Sequence, residues 1–380
     1  MHTNFTVSML KIQNKKSILN YIYTQKRTTS QIIAENLNLS RPTVTQILKE
    51  LVQDGIIYQS GLAESTGGRK ANMYLFNSSS KVAIGLEMLI DRYELIAIDL
   101  YGETVKYEKF TYTFGNTEEY YARVCTSVNQ FVDSLQTTAD QILGVGIALQ
   151  GLISSDGKKI IYGKILNCTG LTIDQFSSRI PYKCTFNHDA ESVANEELWL
   201  NPKLDNAIFF NIRDNLSGAV IINGKFFKGG ELKSGVFEHM TIIPNGLPCY
   251  CGKKGCVNAY CSISALLRPE EDINVFFQML RVKKAPYVKR WNQYLEYLAI
   301  AIDNLRMFIN SDVILGGTLA KYLVEDDIKK IHELVRKLSA FPESSQYIGI
   351  SRCVSLPLCM GAALPFVKDY LDHFMELKYV

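Results

Sequence analysis

Residues 39–70 read LSRPTVTQILKELVQDGIIYQSGLAESTGGRK, and this stretch decides the fold of the first part of the chain. Ser40 is a residue type that often caps helix N-termini, and Pro42 falls where a first helical turn accepts proline. Apolar residues then follow with the spacing of one buried helix face, at Val44, Ile47, Leu48, Leu51 and Val52. The stretch therefore predicts an amphipathic helix that begins at Ser40.

Two further helices are predicted before this one. Thr28 and Gln31 have the spacing of a capping box, which predicts that a short helix starts there. Asn38 stands where the following tight turn needs a left-handed residue, a conformation that asparagine tolerates. An earlier apolar stripe predicts a helix over Lys15–Gln25. Two helices joined by such a short turn form a helix-turn-helix.

The outer face of the helix that begins at Ser40 carries polar and basic side chains, which suit phosphates and base edges in the DNA major groove. The candidate DNA-binding residues on it are Ser40, Arg41, Thr43, Thr45, Gln46 and Lys49. Two strands are predicted next, at Ile56–Ser60 and Asn72–Phe76, with Arg69 and Lys70 at the tip of the hairpin. These elements predict a winged helix-turn-helix, and the alternative is a small helical bundle whose polar face is only solvated.

Composition and charge agree with a DNA-binding head. The 380 residues allow two or three domains, and 47% hydrophobic with 21% charged residues is typical of a globular protein. Residues 1–70 hold nine Lys/Arg and four Asp/Glu, a net charge of +5, whereas the rest of the chain is close to neutral. Since neither a membrane span nor a secretory signal is found, we expect a cytoplasmic protein without a membrane partner.

With its basic hairpin, the stretch 39–70 resembles the DNA-binding head of regulators in the ROK family (repressors, open reading frames, kinases). Later apolar runs predict buried strands that alternate with helical stretches, which indicates an α/β architecture. They include Val82–Leu86, Leu143–Leu149, Ala207–Ile212 and Asp312–Leu315. The resemblance implies a winged helix-turn-helix domain over residues 1–78, followed by a two-lobed, actin-like, ribonuclease H-like and sugar-kinase-like ROK domain over residues 79–380.

Four residues in one loop have the spacing of a metal site. They are His239, Cys249, Cys251 and Cys256, and three thiolates with one imidazole suit tetrahedral Zn²⁺. The pattern is similar to the zinc loop of the ROK family. Because four protein ligands leave no open position, we expect the Zn²⁺ to be structural. The alternative is three unpaired buried cysteines.

The resemblance also implies a ligand cleft. The segment FNHDAESVANEELW places Asp189 where the family has its catalytic base, whereas Val236 and Asn258 replace two sugar-binding acids. The candidate ligand-binding residues are Gly151, Asn167, His188, Asp189, His239 and Asn258. Two alternatives stay open: Asp189 is an ordinary solvated or capped acid, or the cleft has lost sugar binding altogether.

Kinase chemistry is not expected, because both turns that hold ATP phosphates in the family are altered. They read EMLID at residues 87–91 and RDNLSGA at residues 213–219, without the aligned glycines that let a backbone approach phosphates. Asp91 and Asp214 would also repel a triphosphate. Asp189 is then a vestigial base, and no residue is assigned as catalytic.

The sequence therefore predicts a DNA-binding transcriptional regulator, by family default a repressor. Its expected partners are a double-stranded DNA operator and a small effector such as a sugar or sugar phosphate. We expect a homodimer or tetramer, since paired heads read paired half-sites. The alternatives are an active ATP-dependent sugar kinase with an appended DNA-binding head, and a regulator that binds no ligand.

Overall fold

The computed structural model describes residues 7–62, 72–229, 235–341, 346–353 and 358–375. The helices are α1 (Val7–Gln25), α2 (Ser30–Leu37), α3 (Arg41–Gln53), α4 (Glu118–Asp133), α5 (Asp174–Ser177), α6 (Asp189–Leu200), α7 (Asn258–Cys261), α8 (Ile263–Leu266), α9 (Ile273–Arg281), α10 (Ala285–Phe308), α11 (Glu325–Leu338) and α12 (Cys359–Met375). The strands are β1 (Arg27–Thr29), β2 (Ile57–Leu62), β3 (Asn72–Phe76), β4 (Val82–Met88), β5 (Arg92–Ile98), β6 (Thr104–Thr111), β7 (Ile142–Leu149), β8 (Leu152–Ile153), β9 (Ile160–Tyr162), β10 (Cys184–His188), β11 (Ala207–Ile212), β12 (Leu216–Ile222), β13 (Lys225–Phe226), β14 (Asp312–Gly316) and β15 (Ile348–Ile350).

The first three helices and a small sheet of order β1-β3-β2 form a winged helix-turn-helix, which we call the head. Helix α3 is capped as predicted, because the Ser40 side chain accepts a hydrogen bond from the Thr43 backbone. Asn38 is left-handed, with φ 53° and ψ 41°. The predicted start of α2 was wrong by one residue: Thr29 is its cap, and Thr28 and Thr29 both belong to the strand β1 that pairs with β3.

The rest of the chain, which we call the body, contains two five-stranded sheets. The sheet of the first lobe has the order β10-β7-β4-β5-β6, and that of the second lobe has the order β13-β12-β11-β14-β15. Each sheet combines parallel with antiparallel pairs. The side chains of β4 are all buried, as expected of a central strand covered on both faces. The predicted α/β fold with a winged helix-turn-helix head is thus confirmed.

Two helices, α6 and α12, connect the lobes. Helix α6 leaves the first lobe after β10 and leads into β11 of the second, whereas α12 follows β15 and packs against β4 and β7 of the first. The two helices pack against each other closely at Gly361, where a Cβ atom would lie 1.9 Å from the Ser192 carbonyl oxygen. Gly85 meets the Cys359 carbonyl in the same way, so small residues let α12 lie against its neighbours.

The head and the first lobe share one hydrophobic core. Buried residues of α1 and α3 belong to the same cluster as Ile98 of β5 and Leu364 of α12. At the contact, the Tyr23 hydroxyl donates a 2.8 Å hydrogen bond to the Leu100 carbonyl, and the Tyr23 ring lies 4.8 Å from that of Tyr101. The helices of the head therefore pack directly against α12 and β5 of the body. No helix in the described ranges is long and apolar enough to cross a membrane.

Candidate DNA interface, metal centre and ligand cleft

Helix α3 presents the predicted DNA-binding residues on its solvent side. Arg41, Thr45, Gln46 and Lys49 are exposed, while the opposite face is buried in the core of the head. The Gln46 side chain donates to the Glu50 carboxylate at 3.3 Å, a contact weak enough to be exchanged for a base edge. The exposed side of α3 is the element of the head best suited to enter a major groove.

The remaining predicted DNA-binding residues differ in their roles. Ser40 and Thr43 are engaged with each other, since their hydroxyl oxygens lie 2.8 Å apart while Ser40 also caps the helix. In this structure their hydroxyls are therefore engaged in capping α3. Arg69 and Lys70, predicted for the tip of the wing, lie outside the described residues.

The four predicted metal ligands form a cluster in the loop that follows β13. The nearest ligand atoms of His239, Cys249, Cys251 and Cys256 all lie within 4.8 Å of one another. Gly255 makes the loop possible, because a Cβ atom there would lie 1.8 Å from the carbonyl oxygen of Ile243. Burial, reinforced by the nearby Lys253 charge, lowers the pKa of His239 and favours the neutral ring that binds metals.

The distances in this cluster fit a tetrahedral ion. The Cys251 and Cys256 sulfurs are 3.8 Å apart, and the Cys249 sulfur is 3.6 Å from Nδ1 of His239. Zn–S bonds of about 2.3 Å and a Zn–N bond of about 2.1 Å, in tetrahedral geometry, require S–S and S–N separations of about 3.8 Å and about 3.6 Å. Two of the donor separations thus match those around a tetrahedral ion, and all four donors lie close enough together to ligate one metal ion.

Beside this loop, a cavity of about 70 Å³ lies between the lobes, and we call it the ligand cavity. Four of the six predicted ligand-binding residues line it: Gly151, His188, Asp189 and His239. Asn167 does not line the cavity but is exposed in a left-handed turn, with φ 47°, and its carbonyl accepts a hydrogen bond from Asn116. Asn258 does not line it either, because its side-chain oxygen accepts a 2.7 Å hydrogen bond from the Leu216 backbone. The structure thus does not bring Asn167 and Asn258 together with the other four predicted ligand-binding residues at this cavity.

Asp189 is held by a network of neutral donors. The residue is 1% exposed at the start of α6, and one carboxylate oxygen accepts hydrogen bonds from Ser217 at 2.9 Å, Gln150 at 3.3 Å and Asn211 at 3.4 Å. The other oxygen lies 3.2 Å from Nε2 of His188. Asp189 is therefore not a solvated surface acid; it is a buried group that a polar network orients beside the ligand cavity.

Glu238 and Tyr250 are among the polar residues that line the ligand cavity and were not assigned to it from the sequence. Glu238 is 3% exposed, and burial raises the pKa of its carboxyl group well above the usual range. Tyr250 sits between Cys249 and Cys251, two of the candidate metal ligands, and burial raises the pKa of its hydroxyl, which therefore keeps its proton. In the sequence, the position of Glu238 directly before His239 was the one indication that it lines the cavity. That indication can be used only once the fold of the loop is known.

The region predicted to have lost its phosphate turns contains an ion pair between the lobes. Arg213, just after β11, lies 2.6 Å from the Glu87 carboxylate on β4, and the two side chains are 19% and 4% exposed. The sequence alone pointed to the missing glycines and to the acids Asp91 and Asp214 in this region, and not to this pair. Because Glu87 and Arg213 satisfy each other's charge, this part of the cleft is filled by protein side chains rather than left open for an anion.

Comparisons with known proteins agree with this architecture. Residues 83–350 match the ROK family, and residues 13–58 match the winged helix-turn-helix DNA-binding domain. The xylose repressor of Bacillus subtilis (strain 168) is 26% identical over 385 residues, which cover 97% of this chain and 98% of that protein. The DNA-binding transcriptional dual regulator NagC of Escherichia coli (strain K12) is 25% identical over 238 residues, 62% of this chain and 58% of its own length.

Solved structures show the same fold. A ROK family transcriptional regulator, a homologue of the E. coli MLC protein, superimposes with a TM-score of 0.75 at 19% identity, covering 97% of this chain and 98% of its own. A ROK family glucokinase from Streptomyces griseus, in complex with glucose and AMPPNP, gives a TM-score of 0.65 at 18% identity over 74% of this chain and 98% of its own. The regulator thus matches nearly the whole chain, whereas the kinase matches about three quarters of it. The chain belongs to the ROK family, as a member that carries a winged helix-turn-helix DNA-binding domain ahead of its sugar-kinase-like body.

Proposed function

We propose that this DNA-binding regulator is a transcriptional repressor whose operator binding is controlled by a small carbohydrate in the ligand cavity. The observation that carries the proposal is the continuous packing between cavity and head. Asp189 opens α6, α6 packs on α12, and α12 shares a hydrophobic core with α1 and α3. Relatives over nearly the full length are named xylose repressors, which supports both the sign of regulation and the class of ligand.

A ligand changes operator affinity only if it binds the two conformations of the body unequally. The ligand cavity lies between the lobes, so its occupancy depends on their separation. Because α6 and α12 both connect the lobes, a change in lobe angle alters the support of the head. The proposed mechanism is therefore closure of the lobes around a sugar, which repositions α3 relative to its partner in a dimer or tetramer.

Operator release tests this proposal. An operator is first selected from genomic DNA fragments that the full-length protein retains, and its affinity is then measured by fluorescence anisotropy. We expect one compound among xylose, glucose, N-acetylglucosamine and their phosphate esters to change operator affinity by about fivefold or more. If no compound changes operator affinity or thermal stability while DNA binding is intact, the result supports the alternative that the protein is a regulator that binds no ligand.

We also propose that the body has no kinase activity. The Glu87–Arg213 ion pair supports this proposal, because it stands where the altered phosphate turns come together. An ADP-release assay with hexoses and N-acetylated hexosamines should give no turnover above that of the Asp189→Asn variant. Turnover that the Asp189→Asn substitution abolishes would establish the sugar kinase alternative.

We infer that the metal held by His239 and the three cysteines is Zn²⁺ in a structural role. Bound there, the ion would crosslink the loop that presents His239 and Tyr250 to the ligand cavity.

The expected location of such a regulator is the cytoplasm, where its operator is found.

A further inference from the structure

The ion pair between Glu87 and Arg213 is a direct polar contact between the two lobes. Glu87 lies on β4 of the first lobe, Arg213 directly follows β11 of the second, and Nη1 of Arg213 donates to the Glu87 carboxylate at 2.6 Å. Within the described ranges, no other ion pair or side-chain hydrogen bond joins residues 82–188 to residues 207–350. Apart from α6 and α12, the charged link between the lobes is therefore this one contact.

Glu87 depends on the second lobe for its opposite charge. Its side chain is 4% exposed, and Arg213 is its one ion-pair partner in the described part of the chain. Glu94, which faces Glu87 across the sheet, is instead paired with Arg92 of its own lobe at 2.8 Å. If the lobes moved apart, Arg213 would be withdrawn and a buried carboxylate would lose its partner, which is unfavourable.

The ligand cavity indicates that the lobes lie close together in this structure. Gly151 of the first lobe and Ser217 of the second both line it. Its volume of about 70 Å³ is well below the roughly 300–1,000 Å³ that is typical of small-molecule sites. The ion pair is thus formed in an arrangement of the lobes that is closed around a small cavity.

We propose that the Glu87–Arg213 pair is a latch, a contact that holds the two lobes together while the ligand cavity is empty. Lobes joined by connecting helices can separate by a hinge movement, and this movement breaks the pair. The latch rests on the contacts between the lobes and does not depend on which ligand the cavity binds. It goes beyond the proposed function by assigning the closed state of the empty protein to two side chains.

Interlobe distances test the latch in the full-length protein without any sugar. Spin labels on unnatural amino acids at Val105 of β6 and Val275 of α9, exposed positions on the two lobes, leave the nine native cysteines unmodified. Double electron–electron resonance, with labelled chains diluted in unlabelled ones, then gives the distances within one chain. We expect Arg213→Met to raise the population with separated lobes about tenfold, as for loss of a hydrogen bond between charged groups. Glu87→Gln should raise it less, because its amide oxygen still accepts from Arg213.

Arg92→Met is the matched control. The same substitution breaks an ion pair on the neighbouring strand β5, but both partners of that pair belong to the first lobe. Its interlobe distances should equal those of the wild type. Unchanged distances in Arg213→Met and Glu87→Gln, or an equal change in Arg92→Met, would overturn the latch. If Arg213→Met does not fold, Glu87→Gln, which keeps the shape of the side chain, decides the question alone.

Operator binding without sugar distinguishes the latch from the proposed function. Because α6 and α12 connect the lobes and α12 packs against the head, the proposed function predicts altered operator affinity in Arg213→Met but not in Arg92→Met. Longer interlobe distances with unchanged operator affinity would support the latch and contradict the proposed coupling of the lobes to the head. Unchanged distances would overturn the latch and leave the proposed function intact.

Discussion

Gln46 is the side chain of α3 on which operator specificity should depend most. It is exposed, and an amide can pair with two atoms of an adenine edge in the major groove. We expect Gln46→Ala to reduce operator affinity by about 1–3 kcal/mol, the value of one good base contact, while affinity for unrelated DNA is unchanged. Fluorescence anisotropy with operator and scrambled duplexes at one salt concentration measures both.

Gln31→Ala provides a matched control for this change. Gln31 on α2 donates to Glu35 at 2.9 Å, which is the same side-chain pairing, four residues apart, that links Gln46 to Glu50. Loss of the pairing alone should therefore affect both variants equally. An equal loss of operator affinity in the two variants would show that α3 does not read the bases through Gln46.

Cys256 tests the metal centre. It is fully buried within the four-ligand cluster, and a serine hydroxyl is a much poorer zinc ligand than a thiolate. Elemental analysis should find about one zinc per chain in the wild type and much less in Cys256→Ser, with a lower melting temperature because metal binding contributes to folding. Cys261→Ser, at a buried cysteine outside the cluster, should keep its zinc. Wild-type protein without zinc would exclude the site.

At the residue scale, the sequence predicts helix caps and turn conformations, because these depend on neighbouring residues. Ser40 and Asn38 act as expected because a helix cap depends on residues only three or four positions away. Thr29 rather than Thr28 caps α2, and both residues lie in β1, whose pairing with β3 spans more than forty residues and cannot be seen in the local sequence. The position of Glu238 at the ligand cavity and that of Asn258 outside it likewise depend on residues that are distant in the sequence.

At the scale of elements, the contact between α6 and α12 depends on Gly361. Alanine favours a helix interior by about 1 kcal/mol over glycine, so an exposed helical glycine would gain stability from the change. Here the added Cβ would lie 1.9 Å from the Ser192 carbonyl oxygen. We therefore expect Gly361→Ala to lower the free energy of unfolding by about 1–3 kcal/mol, as for other overpacked sites, measured by urea denaturation.

Gly349 of β15 provides the comparison, because a Cβ atom there meets nothing within 4 Å. Gly349→Ala should leave the free energy of unfolding unchanged or slightly raise it. If Gly361→Ala were as stable as Gly349→Ala, the close approach of the two helices would not constrain the lobes.

The elements themselves were largely predictable, whereas their partners were not. Strands such as β7 and β11 are runs of buried apolar residues, and that composition identifies a covered strand in any arrangement. The packing of α12 against α6, β4 and β7 could not be predicted from the sequence, because it depends on glycines that lie far apart along the chain.

At the scale of the whole molecule, the Glu87–Arg213 ion pair links the two lobes. Arg213→Met would leave a buried carboxylate without its partner, and we expect a loss of about 3–5 kcal/mol in the free energy of unfolding. Adding Glu87→Gln should restore most of that stability, because the charge that lacked a partner is removed. Urea denaturation of both single variants and the double variant gives the coupling energy, and additive losses would contradict a direct interaction.

The shared hydrophobic core also has a genetic consequence. Helix α12, near the end of the chain, packs in one cluster with α1 and α3 of the head. A stop codon placed before Cys359 would spare every residue of the head and nevertheless deprive it of its support. Truncations of this kind should therefore appear among constitutively derepressed mutants, alongside substitutions in α3, although the missing segment belongs to the opposite end of the chain.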